Sequence, residues 1–218
     1  MRLSIVKEND NYIVIHKPSG VATQTSKLGE KDLVSEVKNY LAKQGSRNPY
    51  LAVINRLDQP VEGLVLFAKN ETAAADLSKQ LSENRINKTY YATIWGHMPE
   101  SEGNLEDYLL KDGKTNTSKV VNKGVNNSKL AKLEYKVISS NEDTDIIKIH
   151  LLTGRHHQIR VQFANAKHPL LGDTKYGNNE SIAYSKSNCI RYVWLKAYGL
   201  AFSDPKTKEL VNIELDLK

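Results

Sequence analysis

The sequence predicts an α+β fold with a mixed, largely antiparallel central sheet that is flanked by helices. Three observations favour it: strand-like segments outnumber helical ones, several follow one another without a helix between them, and two segments have clear helical periodicity. The 218 residues are enough for one sizeable domain or for two small lobes that share a core. Because we find no internal repeat and no convincing linker, we expect one domain over residues 1–218.

The first predicted elements are a strand and a helix. Residues 11–16 are rich in β-branched and aromatic side chains and run into the turn sequence KPSG, where the strand should end. Asp32 is a candidate N-cap, because apolar residues recur after it at i, i+4 and i+8. The inward-facing residues of this helix would be Leu33, Val37 and Leu41.

Two buried strands and a second helix follow. The apolar runs 51–54 and 63–68 predict short strands, and the polar insert between them, residues 55–62, predicts a loop. Asn70 or Thr72 can cap the next helix. Its inward-facing residues would be Ala73, Leu77 and Leu81.

The second half of the chain predicts mostly strands. Its one clear helix runs from about residue 157 to 166, with Ile159 and Phe163 inward and a His-Pro pair after its end. A stretch to about residue 128 is rich in Lys, Asn, Gly and Thr, so we expect it to be exposed and mobile, with at most a hairpin near 118–121. The remaining strands are expected at residues 90–95, 131–138, 145–152, 197–203 and 211–215.

The charge balance favours a polyanionic partner. Lys and Arg total 31 against 25 Asp and Glu, a formal net charge of +6, which suits RNA or another anionic surface. A basic protein without such a partner fits the charge equally well. No apolar run approaches the roughly 20 residues of a membrane span. With one cysteine, Cys189, and an N-terminus too polar for a secretory signal, we expect a cytoplasmic protein.

Asp58 is the first candidate for chemistry. It lies in the polar insert between two apolar strands, where rigid flanks commonly hold functional side chains. Arg56, two residues earlier, points the same way in an extended backbone, and a nearby arginine keeps a carboxylate ionised, as a nucleophile requires. From these residues alone, a surface turn with a weak ion pair is the better-supported alternative.

The segment LTGRHHQIR, residues 152–160, is the second candidate. A strand ends at its Thr-Gly pair and a helix begins within a few residues, where free N–H groups attract anions. Arg155, and Arg160 further into the helix, could therefore hold a phosphate or a catalytic carboxylate. A helix start with solvated basic residues is the simpler alternative.

Other chemistries find little support in the sequence. His156 and His157 would point about 100° apart on a helix, and no further metal-ligand spacing accompanies them, so we expect no metal. Asp58 and Glu62 could form a glycosidase pair, but Pro60 interrupts the helix that would align them. No P-loop, G-x-G-x-x-G or Ser-His-Asp arrangement occurs.

Five segments together resemble the RluA family of RNA pseudouridine synthases, in the family's order and over nearly the whole chain. Residues 55–64 (NRLDQPVEGL) resemble the signature H-R-L-D-x-x-T-S-G-L, and residues 88–92 match K-x-Y-x-A. Residues 152–160 (LTGRHHQIR) are similar to the motif L-x-T-G-R-x-H-Q-I-R from its second position onward. The opening residues 12–20 and the closing residues 168–177 are similar to the family as well.

Two places in the signature depart from the family. Asn55 stands for its histidine and Val61-Glu62 for its Thr-Ser pair, whereas Arg-Leu-Asp and the following glycine are kept. The implied chemistry is therefore unchanged, while Glu62, an acidic group near an RNA cleft, could alter substrate choice. The N-terminal RNA-binding domain of many relatives is expected to be absent, because the motifs begin at residue 12.

The resemblance implies an enzyme with Asp58 as its catalytic aspartate. Asp58 would attack ribose C1′ or assist formation of a glycal, so that the uracil is freed, rotates and rejoins through C5. Arg155 would pair with Asp58, and Tyr90 would stack on the uracil and take part in proton transfer. Arg56 would fill the place left by the flipped nucleotide. The reaction is an isomerisation, so no cofactor and no metal are implied.

The implied partner is structured ribosomal or transfer RNA, bound in a basic cleft by a monomer, with an affinity that falls as salt rises. One alternative is a non-catalytic RNA-binding module on the same fold, which has no need of Asp58, Tyr90 and Arg155 together. Another is a carbohydrate-processing hydrolase, which needs a second carboxylate facing Asp58. The predicted RNA-binding residues are Arg56, Lys88, Lys114, His157, Gln158 and Arg160.

Overall fold

The computed structural model of the protein describes residues 3–25, 31–45 and 47–216. The chain divides into two compact units. Unit 1 contains residues 1–87 and 197–218, and unit 2 contains residues 88–196. The expectation of one catalytic domain over residues 1–218 stays a prediction. Within the described ranges, no helix is both long and apolar enough to cross a membrane.

The described residues form eleven strands and four helices. The strands of unit 1 are β1 (Ser4–Glu8), β2 (Tyr12–Lys17), β3 (Ala52–Val53), β4 (Glu62–Ala68), most of β10 (Leu195–Ser203) and β11 (Leu210–Glu214). Those of unit 2 are β5 (Asn87–Trp95), β6 (Glu102–Asp112), β7 (Thr117–Val121), β8 (Lys129–Ser140) and β9 (Thr144–Leu151). The helices are α1 (Leu33–Lys43) and α2 (Glu71–Ser82) in unit 1, and α3 (Gln158–Asn165) and α4 (Asn179–Ser187) in unit 2.

The sheet of unit 1 has the strand order β1-β2-β4-β10, with β3 on β4 and β11 on β10. The β2–β4 ladder is antiparallel and runs from the pair Tyr12 and Ala68 to the pair Lys17 and Gly63. Every residue from Gly63 to Ala68 is buried, because β4 lies between two neighbouring strands and α2 packs on its core cluster. The end of β4 that begins at Glu62 is therefore a rigid support for the loop before it.

The two helices of unit 1 confirm their sequence predictions. Asp32 caps α1 by accepting a hydrogen bond from the Ser35 amide at 2.7 Å. Asn70, rather than Thr72, caps α2 and accepts from the Ala73 amide at 2.8 Å. The apolar stripes are buried at Leu33, Val37, Leu41, Ala73 and Leu77, and Leu81 is half-buried.

The sheet of unit 2 has the strand order β5-β9-β8-β6-β7, with antiparallel ladders from β9 to β5 and β8 and from β6 to β8 and β7. Here the expectation of at most a hairpin near 118–121 is corrected, although much of the stretch up to residue 128 is exposed as expected. Most of the stretch is the longer hairpin of β6 and β7, and nothing in the sequence indicated its first strand. The strand β6 is polar on its outer side, yet its backbone is paired with both β7 and β8.

The helix α3 begins at Gln158, one residue after the predicted start, and its Ile159 and Phe163 are buried as expected. His157 precedes it in the left-handed conformation (φ 54°). The antiparallel ladders of both units, with few helices, confirm the predicted α+β class with a largely antiparallel sheet. The basic cleft stays a prediction.

Candidate active site

Asp58 lies in unit 1 on the loop between β3 and β4, and it is half-buried. The apolar residues on either side of it, Leu57 and Val61, are 7% and 2% exposed, so both ends of this short segment are held in the core. The Val61 amide donates to the Asp58 carbonyl at 3.0 Å and closes a tight turn. The carboxylate is therefore presented by a short, buried and hydrogen-bonded segment.

A second segment of unit 1 fastens the Asp58 loop on its other side. The Thr23 hydroxyl donates to the Leu57 carbonyl at 2.9 Å and accepts from the Leu57 amide at 3.2 Å. The Gly20 amide donates to the Gln59 carbonyl at 2.8 Å, and the Gln59 side chain donates back to the Gly20 carbonyl at 3.1 Å. The residues before and after Asp58 are thus each held by two hydrogen bonds to the chain after β2.

Lys17 ties these two segments together from beneath. Its side chain is fully buried, and its ammonium donates to the carbonyls of Pro18 at 3.1 Å, Val21 at 2.7 Å and Gln59 at 3.2 Å. Burial lowers the pKa of Lys17 to about 8, against the opposite effect of the negative charges of Asp58 and Glu62. Lys17 is therefore a buried cation within electrostatic reach of both carboxylates.

The two departures from the family signature have structural explanations. The Asn55 side chain donates to the Leu64 carbonyl at 3.1 Å and accepts from the Leu66 amide at 2.7 Å, so it joins the start of the loop to β4. Glu62 hydrogen-bonds with His16 at 2.8 Å. Since His16 is paired with Leu64 across the ladder, the residue pair of Glu62 and His16 is diagonal on one face of the sheet.

Gly63, which follows Glu62, is required by both space and backbone geometry. Its φ is +133°, a value that L side chains rarely adopt. A Cβ at this position would also collide with the carbonyl oxygen of Ala197. The glycine lets β4 and β10 approach closely where the loop enters the sheet.

Unit 2 contains the motifs at residues 88–92 and 152–160 and brings Lys88 of the first near Arg155 of the second. Lys88 lies on β5 and is 8% exposed, and its ammonium nitrogen lies 3.6 Å from the position that a Cβ on Gly154 would occupy. Burial lowers the pKa of Lys88, and the nearby positive charge of Arg155 lowers it further. Tyr90, two residues along β5, is 6% exposed and is paired with Ile149 of β9.

Gln158 sets the conformation of the segment that carries Arg155. Its side-chain oxygen accepts from the Thr153 hydroxyl at 2.7 Å and from the Arg155 amide at 3.0 Å, and its nitrogen donates to the Lys132 carbonyl at 3.1 Å. The Arg155 side chain is exposed, and its Nε donates to the Leu130 carbonyl at 2.8 Å. Arg155 is thus accessible to solvent but held in place.

A network around Tyr176 fastens the β6–β7 hairpin to the same segment. The Tyr176 hydroxyl accepts from the Ser118 amide at 2.8 Å and lies 2.7 Å from His157 Nδ1. His156 stacks on His157 with a centroid distance of 3.7 Å, and its two ring nitrogens hydrogen-bond with Ser118 Oγ at 2.9 Å and Asn116 Oδ1 at 3.1 Å. Four exposed lysines lie on the hairpin or next to it: Lys111, Lys114, Lys119 and Lys123.

The comparisons with known proteins agree on one family. The sequence model described as RNA pseudouridylate synthase matches residues 11–165. The chain is 32% identical over 214 residues to "Ribosomal large subunit pseudouridine synthase C" of Rickettsia bellii, covering 98% of this chain and 68% of that protein. It is 30% identical over 214 residues to "Dual-specificity RNA pseudouridine synthase RluA" of Vibrio parahaemolyticus, covering 96% of this chain and 81% of that protein.

The chain belongs to the RNA pseudouridylate synthase family. The predicted family and the predicted class of enzyme, an isomerase that acts on RNA, are thereby confirmed. Solved structures agree on the fold: "Human RNA Pseudouridylate Synthase Domain Containing 4" superposes with a TM-score of 0.80 at 21% identity, covering 99% of this chain and 88% of that one.

The synthase divides its predicted catalytic trio between the two units. Asp58 belongs to unit 1, whereas Tyr90 and Arg155 belong to unit 2. Within unit 2, Lys88 and Gln158 both lie near Arg155, and within unit 1, Arg56 is exposed two residues before Asp58. The pairing of Asp58 with Arg155 and Tyr90 stays a prediction.

Three of the predicted RNA-binding residues of the synthase lie deeper than expected. Arg160 is 5% exposed. It forms a bidentate ion pair with Asp173, with Nε–Oδ2 and Nη2–Oδ1 distances of 2.7 and 2.8 Å. His157 is 8% exposed and Gln158 is 3% exposed. Gln158 bonds with the Arg155 segment, His157 with Tyr176 and Arg160 with Asp173, and direct RNA contact by the three stays a prediction.

Two residues that support the site were missed as functional residues in the sequence. Lys17 lies in the opening segment, residues 12–20, and Tyr176 in the closing segment, residues 168–177; both segments supported the family resemblance, but no role was assigned to either residue. Each hydrogen-bonds with a distant backbone group, Lys17 with Gln59 and Tyr176 with Ser118. A lysine directly after an apolar strand is a further signal, because a buried lysine needs partners.

Proposed function

We propose that this synthase converts uridine to pseudouridine in ribosomal or transfer RNA, with Asp58 as the catalytic carboxylate. The observation that carries the proposal is the Asp58 loop: a half-buried carboxylate, held on both sides by paired hydrogen bonds and supported by the buried ammonium of Lys17. Rigid support of this kind keeps a reacting group in a productive geometry and so lowers the barrier to reaction.

In the proposed reaction the bond between ribose C1′ and uracil N1 breaks, and a bond between C1′ and C5 forms. Asp58 adds to C1′ or assists formation of a glycal, so that the freed uracil can rotate. The C5 proton is lost to solvent and N1 gains a proton, so atoms balance without an oxidant or a second substrate. Tyr90 stacks on the flipped uracil and takes part in proton transfer.

In this proposal, positively charged side chains of both units bind the RNA. Arg155 pairs with Asp58, Arg56 occupies the place that the flipped nucleotide leaves, and Lys88 binds a nearby phosphate. Lys114 on the hairpin side contacts RNA outside the site. The relatives' names support ribosomal RNA as one substrate class, since one is named for the ribosomal large subunit. The protein in this proposal is a cytoplasmic monomer, and its single cysteine, which can form no internal disulfide, fits that compartment.

A tritium-release assay on RNA that contains 5-tritiated uridine tests the proposal. Asp58→Asn should abolish release while leaving RNA affinity within about two-fold, because the substitution keeps the size and hydrogen-bonding shape of the side chain. Asp10→Asn, at an exposed carboxylate of the same unit, is the matched control and should release tritium at the wild-type rate. Release by Asp58→Asn at the wild-type rate would refute the role of Asp58, and RNA binding with no release by the wild type would favour a non-catalytic binding module.

A further inference from the structure

Two aromatic rings point outward from the segment before β10. Tyr192 and Trp194 are 48% and 49% exposed, whereas Val193 and Leu195 between and after them are 5% and 6% exposed. Tyr192 lies at a bend, and the Leu195 amide donates to the Val193 carbonyl at 2.8 Å, which closes a three-residue turn around Trp194. Two large rings are thus exposed to solvent two residues apart in one short segment, while the residues between and after them are buried.

The backbone that carries the rings is held rigidly within unit 2. The Trp194 amide donates to the Leu171 carbonyl at 2.9 Å, and the Trp194 carbonyl accepts from the Thr93 amide at 3.1 Å. At Gly172 a Cβ would collide with the carbonyl oxygen of Tyr192, so this neighbour packs directly on the backbone. Because the backbone that carries the rings is already held, a ligand that stacks on them does not have to order it.

The sequence around the rings is positively charged. Residues 181–203 contain Lys186, Arg191 and Lys196 and no Asp or Glu. Lys186 and Arg191 are exposed, and Arg191 directly precedes Tyr192. Exposed aromatic rings and exposed cations in one stretch of chain match the chemistry of single-stranded nucleic acid, whose bases stack on aromatic rings while its phosphates meet the cations.

We propose that Tyr192 and Trp194 form a stacking platform for unpaired bases of the RNA substrate, outside the residues that carry the reaction. The inference rests on the proposed function only in taking the bound RNA to be the substrate. Unpaired rather than duplex RNA is the partner, because only bases free of a helix expose their faces to a ring. The platform thus favours target uridines that are flanked by single-stranded nucleotides.

The test measures affinity for a 15-nucleotide oligouridine and for a blunt RNA duplex of the same length. Trp194→Ala should weaken oligouridine binding about five-fold or more, as the loss of one base–ring stack implies, and Tyr192→Ala should act in the same direction. Duplex affinity should stay unchanged. Ile138→Ala is the matched control, since Ile138 is also 49% exposed in unit 2 and is not aromatic.

Fluorescence gives a second, direct measurement. The chain has two tryptophans, so Trp95→Phe leaves Trp194 as the only source of tryptophan emission. Oligouridine should quench that emission, and the duplex should not. Unchanged oligouridine affinity in the Tyr192→Ala/Trp194→Ala double variant, together with no quenching, overturns the proposal.

The same variants distinguish RNA stacking on the two rings from contact with other ligands and from the catalytic reaction. A shift from dimer to monomer in sedimentation, or loss of binding to anionic lipid vesicles, without any change in oligouridine affinity would overturn the RNA platform in favour of a self-contact or a membrane contact. At saturating RNA, the double variant should keep the wild-type rate of tritium release with a raised KM. Activity retained by Asp58→Asn would refute the proposed catalytic role and leave the binding result standing.

Discussion

Lys17 in unit 1 and Lys88 in unit 2 are both buried lysines, and their electrostatic surroundings are opposite. Burial lowers the pKa of each. Around Lys17 the carboxylates of Asp58 and Glu62 oppose that effect, whereas beside Lys88 the guanidinium of Arg155 adds to it. Two carboxylates of the protein thus lie near the Lys17 ammonium, whereas a second cation, Arg155, lies near the Lys88 ammonium.

This difference indicates different duties for the two lysines. Lys17 donates to three backbone carbonyls and neutralises acids, so its contribution is to the structure of the Asp58 loop. Two cations in one place, Lys88 and Arg155, cost stability in the free protein and are relieved when an anion binds between them. Stability and function should therefore separate when each lysine is replaced.

The largest expected effect is that of Lys17→Met. The substitution removes the donor to the Pro18 and Val21 carbonyls and the cation beside Asp58, so we expect a loss of about 2–4 kcal/mol in the free energy of unfolding. Tritium release should fall by about 100-fold, because the loop loses its support. Urea unfolding with the release assay checks both, and wild-type stability in the variant would contradict the structural duty of Lys17.

Lys17 also predicts a pH dependence. Its folded-state pKa of about 8 lies below its ordinary value of 10.5, so between these pH values the unfolded chain binds more protons than the folded one. The contribution of Lys17 to the free energy of unfolding should therefore rise from about pH 8 to 10.5, and Lys17→Met should lack that rise. Activity of the wild type should fall above about pH 8 as the ammonium is lost.

Lys88→Met is expected to affect function without loss of stability. Removing a cation that is both buried and beside Arg155 should leave the free energy of unfolding within about 1 kcal/mol of wild type. If Lys88 binds a phosphate, RNA affinity should fall about 10- to 100-fold, the range of a charge-assisted hydrogen bond. Equal losses in the free energy of unfolding in Lys17→Met and Lys88→Met would contradict the different duties of the two lysines.

Tyr176→Phe should have an intermediate effect that is confined to unit 2. The variant keeps the ring but removes the hydroxyl that bonds with the Ser118 amide and His157, so KM should rise about five-fold, as expected for about 1 kcal/mol. Hydrogen exchange at β7 should accelerate while global unfolding is little changed. Tyr40→Phe, which removes a hydroxyl bonded to Glu8 in unit 1, is the control and should leave β7 exchange unaltered.

The smallest effect is expected from Glu62→Ser, which restores the family's residue. The pair of Glu62 and His16 is about one-third exposed, so its loss should change stability by less than about 1 kcal/mol. Glu62 raises the pKa of Lys17, and without it that pKa should fall below about 8. The alkaline fall in activity should consequently move to lower pH, and a shift to higher pH would contradict the placement of Glu62 near Lys17.

Elements with strong local signals were predicted from the sequence. The capping residues Asp32 and Asn70 and the apolar stripes behind them marked α1 and α2, since these signals lie within a few residues of each other. The strand β6 and the helix α4 were missed. The first is polar along much of its exposed length, and the second, Asn179–Ser187, buries only Ser181 and Ser185 and so has no apolar stripe.

The candidate site followed a similar division. Asp58, Tyr90 and Arg155 became candidates because motifs carry them, and the family that these motifs imply is confirmed. What supports them could not be predicted in the same way, because a lysine donating to the Gln59 carbonyl 42 residues away and a tyrosine accepting from Ser118 58 residues away depend on the folded chain. The residues next to each of these side chains in the sequence do not indicate such distant partners.

The most direct test is whether Asp58 and Arg155, which belong to different units, meet in solution. In a Cys189→Ser background, the pair Asp58→Cys and Arg155→Cys should be joined by a short bis-maleimide, with the linked peptides identified by mass spectrometry. The pair Lys88→Cys and Gly154→Cys, neighbours within unit 2, is the positive control. A 58–155 cross-link supports one catalytic site, and its absence while the control pair is linked would contradict it.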